Sequence, residues 1–335
     1  MKILVAPLNW GLGHASRCVP LVQRFLDEGH EVVLGGDGES LTLLRKHFPK
    51  LRYTYLAPLN LRYGKGKSQV WSVFKALPKI IVWAMRDHEM LKVLLREEHF
   101  DQVVSDNRFG FYSKQVECVY ITHQLHIMFP RGWKWLEGLA SRLHARICAQ
   151  YNKVWVPDYQ DMEKSLAGEL SHPSISNFLS QGNDCFKSQI SNIEYIGPLS
   201  RFSDCKNLDK TPYKLRNTSE RFFIVAVLSG LEPHRTFLEQ EIRARYQNSE
   251  EQVLIVQGLM NRPNTKMKRG NITTVPYLDD NVLAQVLVNA QHIIARSGYS
   301  TIMDLEALGV MDKAELIPTS GQPEQEYLSL WVRRK

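Results

Sequence analysis

Short apolar runs that alternate with helical patterns constrain the fold of this chain more than any other feature of its sequence. The run KILVAPL at residues 2–8 is followed by an amphipathic stretch and then by the run EVVLGGD at residues 31–37, and the alternation continues to residue 200. Continuous apolar runs of this kind are typical of parallel strands covered by helices on both faces. The sequence therefore predicts an α/β fold with doubly wound, Rossmann-like sheets.

The same alternation starts again after a polar stretch at residues 204–220. Because a chain of 335 residues is about twice the usual length of one domain, we predict an N-terminal domain at 1–203 and a C-terminal domain at 221–335, joined by the polar stretch. The Ser- and Asn-rich segment at 172–192 is predicted to be a surface insertion. Two such sheets form a cleft between them, in which ligands bind at the carboxyl ends of the strands.

The composition is that of a globular protein, with 44% hydrophobic and 23% charged residues. A net charge of +7 favours anionic partners, but the basic runs lack interleaved aromatic residues, which argues against a nucleic-acid partner. The five cysteines have no paired spacing, which predicts neither a zinc site nor a disulfide framework and favours a cytoplasmic location. No apolar stretch approaches the ~18 residues of a membrane span.

The segment NWGLGHASR follows the first strand and is similar to a dinucleotide-binding loop, except that Ser16 stands where a third glycine would be. It is either an imperfect nucleotide loop or a loop that presents His14 at the start of a helix. An imidazole with its usual pKa of ~6.5 is suited to general base catalysis at neutral pH. Asn9, Gly11 and Gly13 are predicted to shape this loop.

Two strand ends in the second half predict a phosphate site. Each strand ends in Ser-Gly and is followed by a helix, whose free backbone N–H groups and dipole can bind a diphosphate without a metal ion. The alternative role for Arg235, in the first turn of one of these helices, is a surface ion pair. The predicted diphosphate-binding residues are Ser229, Gly230, Arg235, Ser297, Gly298, Ser300 and Thr301.

The run PYLDDNVLAQVLVNAQHIIARSGYSTIMDLEALG, followed by IPTSGQPEQEY, resembles the nucleotide-sugar-binding domain of glycosyltransferase family 28 over residues 222–327. The opening glycine–histidine loop and the strand order extend this resemblance to the first half. The resemblance implies the two-domain GT-B fold and a metal-independent, inverting sugar transfer from a UDP-sugar, with no cofactor. It also implies a polyprenyl- or glycolipid-linked acceptor in cell-envelope synthesis at the inner face of the plasma membrane.

The resemblance further implies roles for individual residues. His14 is the candidate general base, the backbone of Leu278 lies at the uracil, and Asp304 binds the ribose. Gln325 and Glu326 stand where relatives have two glutamines that bind the donor sugar, so the sugar need not be N-acetylglucosamine, because a carboxylate only accepts hydrogen bonds. The closing helix that follows is predicted to be short or absent.

Polar residues also end two neighbouring strands of the first half. Asp106 and Arg108 follow one strand and His123 follows the next, so these three side chains either orient an acceptor or cap the strand ends. The helical region at 72–99 combines Trp83 and other apolar residues with several lysines and arginines. Such a helix either lies against an anionic membrane or packs on its own sheet.

Three other functions remain open from the sequence. A nucleotide-sugar epimerase can have the same two-domain fold. An NAD-dependent oxidoreductase would use Asp37, at the end of the second strand, to bind a ribose. A sugar-nucleotide-binding protein without catalytic activity is the third alternative.

Overall fold

The computed structural model describes residues 1–59, 69–173, 192–203, 205 and 222–335. Most of the predicted insertion at 172–192 and of the predicted linker at 204–220 lies outside these residues.

The first domain contains a seven-stranded sheet in which every described pairing is parallel. Its strands are β1 (Lys2–Pro7), β2 (Glu31–Gly36), β3 (Arg52–Tyr55), β4 (Gln102–Asp106), β5 (Glu117–Ile121), β6 (Lys153–Val156) and β7 (Ile193–Tyr195). Their order in the sheet is β3-β2-β1-β4-β5-β6-β7, so the chain changes direction across the sheet between β3 and β4. The loops after β1 and β4 therefore lie side by side, at the point where ligands bind in such sheets.

Helices cover both faces of this sheet. They are α1 (Gly13–Asp27), α2 (Gly38–His47), α3 (Gln69–Glu97) and α4 (Glu137–Cys148), and a 3₁₀ turn at Arg131–Leu136 precedes α4. Buried residues of α1 and α2 form one apolar core with the sheet, and buried residues of α3 and α4 form a second core with it.

The second domain contains a six-stranded sheet of the same kind. Its strands are β8 (Ile224–Val227), β9 (Val253–Val256), β10 (Met267–Arg269), β11 (Ile272–Val275), β12 (His292–Arg296) and β13 (Ala314–Ile317), and its helices are α5 (His234–Tyr246), α6 (Asp280–Asn289), α7 (Tyr299–Leu308) and α8 (Pro323–Arg333). The strand order is β10-β11-β9-β8-β12-β13, and β10 alone among these strands is antiparallel to its neighbour. The sequence did not predict β10, because its three exposed residues MKR carry no apolar alternation.

The last helix connects the two domains. Helix α8 has 11 residues and contacts the first domain. The Tyr327 hydroxyl accepts a hydrogen bond from the Glu169 backbone N–H at 2.8 Å, and Trp331 Nε1 donates to the Ser165 backbone oxygen at 2.9 Å. These bonds fix α8 against the loop at 165–170.

A substitution at Gly168 tests this contact. Gly168 has a φ of +55°, and an added Cβ would lie 2.4 Å from the Tyr327 hydroxyl and 2.7 Å from the Trp331 ring. Gly270 has a similar φ of +59° with no atom within 4 Å, so Gly270→Ala is the matched control. We expect both variants to lose about 1 kcal/mol through backbone strain and Gly168→Ala to lose about 1–3 kcal/mol more through overpacking. Equal melting temperatures of the two variants would contradict this.

Candidate functional site

The candidate site lies where the ends of β1 and β4 meet the start of α7. Pro7 at the end of β1 pairs with Asp106 at the end of β4, and the loop after β1 carries His14 into the first turn of α1. His14 Nδ1 lies 2.9 Å from Asp106 Oδ1. Asp106 is fully buried, whereas 16% of the His14 side chain stays exposed. The structure thus brings together the predicted base and one of the predicted acceptor-side residues.

Arg17, which the sequence did not single out, completes this group. Its Nε donates to Asp106 Oδ2 at 2.6 Å, and its Nη2 donates to Asp106 Oδ1. Burial raises the pKa of Asp106, but Arg17 and His14 outweigh burial and hold that pKa well below its usual range. The Asp106 carboxylate is therefore ionised at neutral pH and can only accept hydrogen bonds.

The ionised carboxylate of Asp106 determines that Nδ1 of the His14 ring carries a hydrogen. Because the ionised Asp106 accepts from Nδ1, that nitrogen of His14 carries a hydrogen, and Nε2 is the ring nitrogen that does not face Asp106. Arg17 Nη2 also lies 3.0 Å from His14 Nδ1. Since both nitrogens are donors, they share Asp106 Oδ1 and do not bond to each other.

His123 extends the network into the second domain. Its Nε2 lies 2.8 Å from Glu324 Oε1 in the first turn of α8, and its ring stacks on Tyr299 at 4.2 Å. Its Nδ1 lies 3.4 Å from Arg17 Nη1. Burial lowers the pKa of His123, and Glu324 offsets only part of this effect. A continuous polar chain thus runs from His14 through Asp106, Arg17 and His123 to Glu324.

The glycines of the opening loop permit direct contact with the second domain. Ser300 Oγ donates to the Gly13 backbone oxygen at 2.9 Å, and a Cβ at Gly13 would lie 2.8 Å from that Oγ. Gly11 has a φ of +81°, and its missing Cβ would touch Gly230 Cα at 3.7 Å. The Ser300 hydroxyl, one of the predicted diphosphate donors, is therefore already bonded to the first domain.

Asn9 has its partners within the first domain. Its Nδ2 donates to Asp37 Oδ1 at 2.7 Å, and its Oδ1 accepts from Ser40 Oγ at 3.2 Å. Asp37, the ribose ligand of the NAD hypothesis, is buried and also lies 3.4 Å from Arg108. A ribose at Asp37 would have to compete with both partners.

Arg108 does not reach the cleft, so its predicted acceptor-side position is wrong. The side chain is fully buried and donates two hydrogen bonds to Asp87 of α3 at 2.8 and 2.9 Å. The preceding Asn107 has a φ of +56°, and the Arg108 side chain after this turn points to α3 and to the backbone oxygen of Ala57. Trp83 is also buried, with the Arg108 guanidinium over its ring, so it cannot contact a membrane.

The residues that are predicted to bind a diphosphate lie at the ends of β8 and β12, and they have different hydrogen-bond partners. Gly298 is the N-cap of α7, and Thr301 lies beside it. Ser297 is buried, and its hydroxyl donates to the Gln325 backbone oxygen at 2.8 Å, away from the helix start. Ser229 follows β8, and the exposed Gly230 after it has a φ of +91°.

Two of the charged donor-site residues, Arg235 and Asp304, are paired with neighbours. Arg235 donates from Nε and Nη2 to Glu232 at 3.0 and 2.9 Å. This ion pair joins Arg235 to a glutamate three residues before it, whereas helical i, i+4 spacing would pair Arg235 with Glu239. Asp304 accepts from the Ser200 hydroxyl at 2.7 Å and lies 3.3 Å from Arg201. Phosphate or ribose binding at either residue therefore requires an exchange of partners.

The remaining donor-site residues lie at the edge of the cleft. Leu278 packs on the core of the second domain, between two residues that contact Lys46 of α2. Gln325 Oε1 accepts from the Thr319 N–H at 2.8 Å, and Glu326 Oε1 accepts from the Gly321 N–H at 3.1 Å. In the first turn of α8, Glu324 is the residue that bonds to His123. The sequence analysis had singled out the next two residues, Gln325 and Glu326.

Two general features accompany this site. None of the helices in the described ranges is both long and apolar enough to cross a membrane. Within the same ranges, no three His, Cys, Asp or Glu side chains are grouped so that they could hold a metal ion.

No protein-family model matches the chain. An uncharacterized glycosyltransferase from Methanosarcina acetivorans is 28% identical over 180 residues, which are 48% of this chain and 42% of that protein. Another uncharacterized glycosyltransferase from the same organism is 22% identical over 346 residues, which are 97% of this chain and 82% of that protein. The chain thus spans less than half of the first of these relatives and most of the second.

Solved structures match the whole chain. A Listeria monocytogenes protein assigned as a UDP-N-acetylglucosamine 2-epimerase gives a TM-score of 0.55 at 12% identity, covering 100% of this chain and 88% of that one. The glycosyltransferase SnogD from Streptomyces nogalater gives 0.51 at 15% identity, with 99% and 94% covered. A spinosyn rhamnosyltransferase complexed with thymidine diphosphate gives 0.56 at 12% identity, with 98% and 84% covered. The predicted fold of two Rossmann-like domains, GT-B, is confirmed.

The buried charge of Asp106 predicts a pH-dependent stability. Because its folded-state pKa is depressed, the stability that Asp106 contributes is present above its unfolded pKa of about 4 and is lost as the pH falls below that value. Asp106→Asn leaves Arg17 buried without a charged partner, which costs about 3–5 kcal/mol at pH 7.

The measurement is the melting temperature of wild type and Asp106→Asn between pH 7 and about pH 3. We expect the difference in melting temperature between wild type and Asp106→Asn to be largest at pH 7 and to become smaller in acid. Asp27→Asn, at an exposed position near the end of α1, is the control and should differ little from wild type throughout. A gap for Asp106→Asn that stays constant with pH would refute the ionised state of Asp106.

Proposed function

We propose that this protein is an inverting glycosyltransferase that moves a hexose from a UDP-sugar to an acceptor hydroxyl. The observation that carries this proposal is the His14–Asp106 pair, with 2.9 Å between Nδ1 and Oδ1, at the junction of the two GT-B domains. The sequence relatives described as glycosyltransferases support the same reaction class. The resemblance to glycosyltransferase family 28 is part of this proposal.

In this proposal His14 carries out the proton transfer. Its free Nε2 takes the proton of the acceptor hydroxyl while that oxygen forms a bond to the anomeric carbon. The bond from that carbon to the diphosphate oxygen breaks in the same step, so the configuration inverts. Asp106 stabilises the imidazolium that forms and keeps the ring in the required orientation.

The leaving diphosphate needs positive charge at the other side of the anomeric carbon. The N-terminus of α7, capped by Gly298, supplies free backbone N–H groups and the positive end of a helix dipole. The Ser300 and Thr301 hydroxyls add donors once Ser300 releases Gly13. Arg235 adds a full charge if it exchanges Glu232 for a phosphate oxygen. These groups make a transfer without a metal ion or cofactor chemically reasonable.

An epimerase is the second candidate, favoured by the Listeria structure with a TM-score of 0.55. It would convert a UDP-sugar without any acceptor. The bound thymidine diphosphate of the rhamnosyltransferase and the UDP of a Staphylococcus aureus structure are consistent with either activity. Consumption of donor that depends on an added acceptor separates the transferase from the epimerase.

We further propose that α3 brings the protein to a lipid-linked acceptor at the cytoplasmic face of a membrane. Leu77, Ile81 and Met85 lie at helical spacing and are exposed by 47%, 53% and 65%. Lys79 and Arg86 are exposed on the same helix. An exposed apolar stripe with basic neighbours fits the surface of an anionic bilayer.

The catalytic proposal predicts separate effects on binding and turnover. UDP should raise the melting temperature of wild type by the amount expected from its affinity, and NAD should not. His14→Ala should keep the UDP-induced shift and lose about 10²–10⁴-fold in UDP release from UDP-sugars with a panel of acceptors. His99→Ala, at an exposed position, is the control. Loss of UDP binding in His14→Ala would move His14 from catalysis to donor recognition.

The membrane proposal predicts a loss of vesicle binding. Ile81→Gln/Met85→Gln should sediment less with vesicles that contain phosphatidylglycerol, because each substitution removes apolar surface from the interface. The control is Phe237→Gln/Met267→Gln, which changes two apolar residues of the second domain that are exposed by 45% and 53%. Equal sedimentation of wild type and both variants would exclude α3 as the contact.

A further inference from the structure

The negative charge of Asp106 is already balanced before His14 takes a proton. Asp106 accepts two hydrogen bonds from the Arg17 guanidinium, through Nε and Nη2, so the two side chains form a neutral ion pair. Arg17 Nη2 also lies 3.0 Å from His14 Nδ1. An imidazolium at His14 would therefore stand beside a guanidinium, and a cation in that place is disfavoured unless a second negative charge lies nearby.

Glu324, in the first turn of α8, is the second carboxylate near His14. Burial raises the pKa of Glu324, but His123, His14 and Arg17 outweigh burial and hold that pKa below its usual range. The carboxylate is therefore ionised at neutral pH. Because 33% of the side chain is exposed, water screens part of this charge.

His123 connects Glu324 to Arg17. Its Nε2 lies 2.8 Å from Glu324 Oε1, and an ionised carboxylate only accepts hydrogen bonds, so Nε2 carries a hydrogen. Because burial lowers the pKa of His123, the ring is neutral and its Nδ1 accepts from Arg17 Nη1 at 3.4 Å. Tyr299 stacks on this ring with 4.2 Å between the centroids. Tyr299 and Glu324 both belong to the second domain, which thus supplies two of the contacts that hold His123.

The charges around His14 can be counted from these contacts. The titratable groups that interact with His14 or with its ion pair are Arg17, Cys18, Asp106, His123, Tyr299 and Glu324. Burial raises the pKa values of Cys18 and Tyr299 well above their usual range, so both are neutral. One guanidinium and two carboxylates remain ionised. The group therefore has one excess negative charge while His14 is neutral, and it becomes neutral once His14 has taken a proton.

We propose that Glu324 is a positioning residue for the proton transfer, and that its negative charge, supplied by the second domain, allows His14 to take a proton beside Arg17. The inference rests on the proposed transferase function, in which His14 is the base. Glu324 acts on His14 through His123 and Arg17. Because the charge comes from α8, His14 reaches its full strength as a base only while α8 contacts the first domain.

A purely structural role for Glu324 predicts a different result. If the carboxylate only tied α8 to the first domain, a glutamine could replace it, because the amide oxygen can accept from His123 Nε2 on a side chain of the same length. Glu324→Gln thus keeps the contact and removes the charge. Glu306→Gln, at an exposed position on α7, removes the same charge from the same domain and is the control.

The direct measurement is a pH titration of the His14 ring by NMR in the full chain, with its signal identified by its loss in His14→Gln. Removal of a nearby negative charge makes the imidazolium less stable, so a higher proton concentration is needed to form it. We expect Glu324→Gln to move the protonation of His14 to lower pH by about 0.5–1 pH unit and Glu306→Gln to leave it unchanged. Glu324→Asp, which keeps the charge, should titrate closer to wild type than Glu324→Gln.

UDP release from UDP-sugars in the presence of acceptors measures the consequence for turnover. A weaker base slows proton transfer, so Glu324→Gln should lower kcat by about threefold to tenfold at the plateau of the pH profile. The KM for the UDP-sugar should stay unchanged, because the proposal gives Glu324 no contact with the donor. Melting temperatures of all variants show whether the fold is kept.

The proposal is overturned if His14 takes its proton at the same pH in wild type and in Glu324→Gln, or if Glu306→Gln shifts this pH by as much. The titration is independent of the donor reaction. If the wild type releases no UDP but the titration of His14 still depends on Glu324, the role of Glu324 stands and the transferase proposal fails. If UDP release requires His14 while Glu324→Gln changes neither the titration nor kcat, the reverse holds.

Discussion

The buried charge of Asp106 is the interaction on which the rest of the site depends. A carboxylate without solvent is costly unless its lone pairs are filled, and Arg17 and His14 fill them from one helix, α1. The same contacts fix the position of α1, the tautomer of His14 and the contact of Arg17 with His123. Folding stability and the orientation of the His14 ring therefore depend on the same contacts of Asp106, so a substitution at Asp106 changes both.

The architecture could be predicted from the sequence because its signals are local. The apolar runs that became β1, β2, β4 and β8 are bounded by turn residues, and their burial follows from their composition. The loop with His14 was found for the same reason, since a strand, two glycines and a helix start lie within a few residues. Strand β10 was missed because its exposed residues MKR show no alternation of apolar and polar residues.

The partners of the site could not be predicted, because they are distant in sequence. Arg17 meets Asp106 across 89 positions, and His123 meets Glu324 across 201. The spacing of Arg17 three residues after His14, on one face of a helix, was the available signal. Arg108 was misplaced because the end of a strand gives its position but not its direction, which the backbone of Asn107 reverses.

The junction between the domains is apolar at one end and polar at the other. Near α8, Leu166 and Leu170 of the first domain share an apolar core with Leu328. At the opposite end, Ser300 and Gly13 meet through a hydrogen bond that water can replace at a net cost of about 0.5–1.5 kcal/mol. Separation of the domains at this hydrogen bond therefore costs less than separation near α8, where it would expose the shared apolar side chains to water.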